Sequence, residues 1–180
     1  MSQNSWRQQL TSNYQDGTAL TNTTTATSII PAAEKFVLPS NIFFPGRRLH
    51  VSAAGRISTA AATPGTLTLD LRFGSTVVFN GGASPTLATS ASNVTWKFEA
   101  DLVCRAYGTG TSTTVLGTGV LTSAALSATT PIMLLPASSP AVGTGFDCTA
   151  SQAVDMFATW SVASASNTIT LHDFAIELLN

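Results

Sequence analysis

Between Val94 and Ala106 the chain alternates without a break. Val94, Trp96, Phe98, Ala100, Leu102, Cys104 and Ala106 share one parity, and Thr95, Lys97, Glu99, Asp101, Val103 and Arg105 share the other. Strand side chains point to opposite faces in turn, so this pattern is a strand with one dry and one wet face. The stretch Thr66–Phe73 repeats it, with Leu67, Leu69, Leu71 and Phe73 separated by Thr68, Asp70 and Arg72. Each such large side chain contributes about 1.5–3 kcal/mol when fully buried. That gain requires an opposing wall of other strands, and the remaining chain is read as that wall.

Further alternations are present. Leu49, Val51, Ala53, Gly55 and Ile57 oppose Arg48, His50, Ser52, Ala54 and Arg56, and Val154, Met156, Ala158, Trp160 and Val162 form another inward set. Pro31 and Pro39 close the short segments Thr27–Ile30 and Lys35–Leu38, which suits edge strands. Phe43-Phe44-Pro45-Gly46 marks a turn, and Gly74-Ser75 a hairpin that Asn80-Gly81-Gly82 is expected to end. Thr114–Leu121 reads as a strand interrupted by Gly117 and Gly119, with loops over 83–93 and 123–150. In the last strand the apolar phase breaks: Ile169 and Leu171 have one parity, Phe174, Ile176 and Leu178 the other. A β-bulge near His172-Asp173 would return all five to the core. A count of roughly eight to ten strands with almost no helical period predicts an all-β antiparallel sandwich, jelly-roll-like, with an immunoglobulin-like sandwich as the alternative.

Residues 1–25 are rich in Gln, Asn, Ser and Thr, with Trp6, Leu10 and Tyr14 as spaced anchors. They read as an extended N-terminal arm ahead of one sandwich domain at 26–180. A four-residue spacing would also align the three anchors on a short helix. Such an arm is either a frayed terminus or a device for gripping a partner subunit; in the second case Trp6, Leu10 and Tyr14 are the partner-binding residues.

Charged residues are only 9% of the chain, against roughly 25% in average soluble proteins. The net charge of −1 offers no field toward phosphates, so no nucleic acid is expected as a partner. No apolar run is long enough to predict a membrane span, and the first ten residues lack a signal-peptide core. The expectation is synthesis in a reducing cytoplasm, with Cys104 and Cys148 as free thiols. Catalytic signatures are missing from the sequence pattern. Glu99 and Asp101 share a wet face beside Lys97 and Arg105, which suits ion pairing better than acid–base chemistry. His50 and His172 lack a third ligand for a metal. Gly108-Thr109-Gly110 and Gly117-Thr118-Gly119 fail as dinucleotide fingerprints. No cofactor is expected, and the charges of Asp70, Arg72, Lys97, Glu99, Asp101 and Arg105 are all assigned to wet faces.

Several segments together resemble a known group: Asp16-Gly17-Thr18-Ala19-Leu20-Thr21-Asn22, Ile30-Pro31-Ala32-Ala33, Leu38-Pro39-Ser40-Asn41, Thr66–Gly74, Val94-Thr95-Trp96, Ala150-Ser151-Gln152 and Asn167-Thr168-Ile169-Thr170. From about Asp16 onward the chain is similar to the small β-sandwich virion proteins of tailed bacteriophages, either capsid decoration and head proteins or tail-fibre modules. The resemblance implies a non-enzymatic structural role in the virion, assembled in the host bacterial cytoplasm and often as a homotrimer. Its partners would be sister subunits and the major capsid protein or other virion proteins. A receptor- or carbohydrate-binding head of a tail fibre is the alternative, and would want exposed aromatics on the loops 83–93 and 123–150, which hold only Phe146.

Overall fold

A computed structural model describes residues 6–126, 129–138 and 145–179. Two antiparallel sheets pack face to face, giving the β-sandwich that the alternations demand. Twelve strands run in chain order: β1 (Arg7–Ser12), β2 (Leu20–Thr21), β3 (Thr27–Ser28), β4 (Val37–Leu38), β5 (Arg48–Ser58), β6 (Leu67–Phe73), β7 (Thr76–Ala83), β8 (Val94–Ala106), β9 (Thr114–Ser123), β10 (Ile132–Leu135), β11 (Gln152–Trp160) and β12 (Thr168–Leu179). The larger sheet has the order β1-β12-β5-β8-β9-β10, with β2 also on β12; the smaller has β3-β11-β6-β7, with β4 also on β11.

The connection β5–β6 crosses from one sheet to the other, and β11–β12 crosses back alongside it, since β11 pairs β6 and β12 pairs β5. The two crossings thus run side by side at one end of the sandwich. The β6–β7 hairpin stays within one sheet, and β8 pairs β5, so the strands divide seven to five between the sheets. The inward parities close on one another in a single core. Leu49, Val51, Trp96, Phe98, Phe174 and Ile176 of the larger sheet face Leu69, Leu71, Phe73, Met156 and Trp160 of the smaller. Phe43 and Phe146 seal one end of that core, Phe146 standing edge-on to Phe73 with ring centroids 4.9 Å apart.

The bulge in β12 is present where the phase breaks. Leu171 pairs Gly55 and Asp173 pairs Ala54, leaving His172 outside the ladder, and Ile169, Leu171, Phe174, Ile176 and Leu178 are all buried. The N-terminal segment is extended rather than helical. β1 pairs β12 from Arg7↔Leu179 to Ser12↔Ala175, Gly17 N–H donates to Leu171 C=O (2.8 Å), and β2 completes the run at Ile169↔Leu20. Residues 7–21 thus lie along the same edge of the domain's own sheet.

Four expectations are corrected. Asn80-Gly81-Gly82 does not end the hairpin: Gly82, at φ +77°, forms a bulge and β7 continues to Ala83. Gly117 and Gly119 do not interrupt β9; a Cβ at Gly117 would overlap the ring of Phe79, so the glycine is a packing requirement. Asp70 is not on a wet face but buried. Phe146, the one aromatic of the long loops, is core.

The bulge gives a sharp test. Deleting His172 shifts half of β12 to the wrong face and is expected to abolish cooperative urea unfolding. His172→Ala, which removes only an exposed pair with Asp16, is expected to change stability by less than about 0.5 kcal/mol.

Candidate interaction surface

The outward face of the larger sheet carries most of the charge. Strand register lines up Gln9, Glu177, His50, Asp101 and Thr118 across five neighbouring strands. The side chains neutralise one another along that row: Arg7 pairs Glu177, Arg48 approaches Asp101 at 3.4 Å, and Lys97 meets Glu99 at 2.6 Å. His50 Nδ1 lies 2.9 Å from Asp101 Oδ1; a carboxylate only accepts, so the ring proton sits on Nδ1. Asp101 thus has Arg48 and His50 as its partners. The hydrogen bond from Lys97, with its charge, holds the Glu99 carboxyl below its ordinary range. Of these residues His50, Glu99, Asp101 and Thr118, with Gly119, line an open depression of about 280 Å³. No group of three or more His, Cys, Asp and Glu able to hold a metal occurs among the described residues. The two carboxylates share a face, and each has a cation of its own.

The outward face of the smaller sheet holds a denser cluster. Arg72 forks onto Asp70 (Nε–Oδ1 2.6 Å, Nη2–Oδ2 3.2 Å) and lies over the Phe157 ring, its guanidinium carbon 3.7 Å from the centroid. Opposite Arg72 in register stands Asp155, which is buried and takes Lys35 at 2.6 Å and the Ser28 hydroxyl at 2.7 Å. The hydrogen bond to Asp70, with both carboxylates nearby, raises the Arg72 guanidinium above its usual range. Two anions and two cations close into a neutral, structural network. Sequence parity placed these side chains outward but gave no sign that Phe157 and the short strands β3 and β4 would cover them.

The two ends of the sandwich differ. At one end buried Asn167 ties the β5–β6 and β11–β12 loops together, donating to Pro64 C=O (2.9 Å) and Val162 C=O (3.2 Å) and accepting from Ala60 N–H (2.9 Å). Thr59 does the same beside it, donating to Ala88 C=O at 2.6 Å and accepting from Ala91 N–H at 2.9 Å. The other end, where β1 and β5 begin and β8 and β12 finish, presents apolar rings. Phe44-Pro45-Gly46-Arg47 is a type II turn there, closed by Arg47 N–H to Phe44 C=O at 3.0 Å with Gly46 at φ +91°. Gly46 and Arg47 hydrogen-bond the backbone of Cys104, which fixes the turn on the end of β8. The Arg47 guanidinium carbon sits 4.2 Å from the Phe44 centroid and 5.9 Å from that of Trp6. Trp6 and Phe44 are each 39% exposed and Tyr107, bonded through its hydroxyl to Asn41, is 45% exposed.

Of the three anchors read from the sequence, Trp6 joins this rim. Leu10 is the bulged residue of β1 and packs against the core. Tyr14 is 82% exposed and stands apart, its N–H donating to Glu34. Phe44, Arg47 and Tyr107 were not singled out; a turn motif containing an exposed aromatic next to arginine is the signal that could have found them. A second exposed apolar set, Ile132 and Leu134, lies on β10.

Cys104 and Cys148 are buried free thiols. Burial pushes the Cys104 thiol up to about 11.

Comparison of the chain with protein-family models and with curated proteins gives no match.

Two measurements follow from this geometry. Arg72→Met strands the buried Asp70 carboxylate and is expected to cost about 3 kcal/mol in urea unfolding, whereas Lys97→Met, on the exposed face, costs less than about 1 kcal/mol. For Cys104, folding favours the neutral thiol. Its contribution is complete below the unfolded value of 9.0 and is lost as pH rises toward about 11. Over that window wild type should lose up to about 1.4 kcal/mol per pH unit more than Cys104→Ala.

Proposed function

We propose that the protein is a non-enzymatic structural component of a tailed-bacteriophage virion, a decoration or stabilising subunit that binds the major capsid protein. The role in a virion is supported by the sequence resemblance described above. A docking role is supported most directly by one observation: exposed aromatic side chains gather around Arg47 on one end of the sandwich. Tryptophan, tyrosine and arginine are the residue types that most often dominate the energetics of protein interfaces. The Arg47 guanidinium is held by Ile42 C=O at 2.9 Å, and the turn carrying it is latched to β8, so little ordering cost remains on binding. Most of the carboxylates on the two outward faces are already paired with cations of the same face.

Residues 7–21, read in the sequence as part of an arm that could grip a partner subunit, lie along β12 instead, and the rim is the surface offered to a partner. Truncation would strip β1 and β2 from β12 and confound binding with stability, so point substitutions are the better probe. In co-sedimentation with capsids of the phage encoding the chain, Trp6→Ala and Phe44→Ala are each expected to weaken binding by roughly thirty-fold, about 2 kcal/mol, with unfolding midpoints little changed. Undiminished capsid binding by both variants would remove the rim from the reading. Failure of the intact chain to bind capsids, together with specific retention of a glycan on an array, would favour the tail-fibre alternative.

A further inference from the structure

We propose that β10 is a docking edge for a second copy of this chain, the two β10 strands pairing antiparallel about a two-fold axis at Met133. β10 ends the larger sheet, with β9 on one side and no described strand on the other. Ser123 N–H donates to Pro131 C=O (2.8 Å), and the ladder continues at Met133↔Leu121 and Leu135↔Gly119. Since hydrogen-bonding direction alternates along a strand, Ile132 and Leu134 aim their N–H and C=O groups away from β9. Their side chains are 60% and 78% exposed, the largest apolar exposures after Tyr14.

The other sheet edges carry protection that β10 lacks. β1 presents Arg7, Gln8, Gln9 and Thr11 and contains a bulge. β7 contains two register shifts and is partly covered where Ala137 N–H donates to Gly81 C=O at 2.8 Å. β3 and β4 are two residues long. Bulges, polar side chains and brevity are the usual means of preventing edge-to-edge association. β10 has neither a charge nor a bulge and carries Ile132 and Leu134 outward, while Met133 and Leu135 turn toward the core.

The strand is also self-complementary in a way that selects a second copy as its occupant. A two-fold perpendicular to the sheet keeps outward residues outward, so paired positions must share parity. Centring on Met133 sets Ile132 of each copy against Leu134 of the other, both with free backbone groups, so each pair can exchange both hydrogen bonds. Centring on Leu134 would instead bring Pro136, which has no N–H, against Ile132. Inboard of the pair, Thr122 and half-buried Val120 face Ile132 and Leu134 on β9 and extend the apolar strip. The next charges, Lys97 and Glu99, already neutralise each other, so no unpaired charge opposes the approach. The inference does not depend on a role in a virion, and it gives a dimer where the resemblance suggests a trimer.

The test is sedimentation of the full chain over about 1–100 µM. A concentration-dependent dimer is expected, and Leu134→Lys should weaken it roughly thirty-fold or more without lowering the unfolding midpoint, while Trp6→Ala leaves it intact. Register is read by oxidising mixed Ile132→Cys and Leu134→Cys copies with diamide; the mixture should cross-link far more than either variant alone. A monomer throughout, or a dimer or trimer indifferent to Leu134→Lys, would overturn the proposal. So would equal cross-linking of the single variants and the mixture.

Discussion

β12 keeps five large side chains against the core because one residue, His172, is left out of its ladder. The strand is paired along both sides: β5 lies along one, and β1 and β2 share the other. With the extra residue absorbed, Leu171 and Phe174 both point inward, and the segment 7–21 can pair continuously from Leu179 back to Ile169. Without it, either half of the strand would offer water its apolar side, and the neighbours that read register from it would have no consistent template. The side chain itself does little. The count of residues is what matters.

Much of this architecture was legible from parity alone. Leu67, Leu69, Leu71 and Phe73, the series from Trp96 to Cys104, and the phase break before Phe174 assign the inner faces directly, because a residue's side of a sheet depends only on whether its position is odd or even. Parity says nothing of what lies above an outer face. Asp70 and Asp155 have outward positions, yet Arg72, Phe157, Lys35 and Ser28 close over them. Glycines were misread for a related reason. In β9 a missing side chain looks like an interruption, whereas the space it leaves is occupied by Phe79 from the opposite sheet.

The interaction surface was the least legible part. Trp6 stood out as an aromatic in polar sequence, but its neighbours Phe44 and Arg47 reach it only through the pairing of β1 with β12 and of β5 with β8. A four-residue spacing grouped Trp6 with Leu10 and Tyr14, which share no surface once the segment is extended and bulged. Contacts of this kind depend on long-range pairing, and a local pattern cannot encode them.

The antiparallel register of Arg7 with Leu179 brings the first and last described strand residues side by side, at the end bearing the aromatic rim. A dye or other label attached beside Arg7 or Leu179 therefore stands next to Trp6 and competes for the same space. Cargo meant to leave that end free would have to be inserted in a turn at the far pole, clear of the side-chain clamp of Asn167.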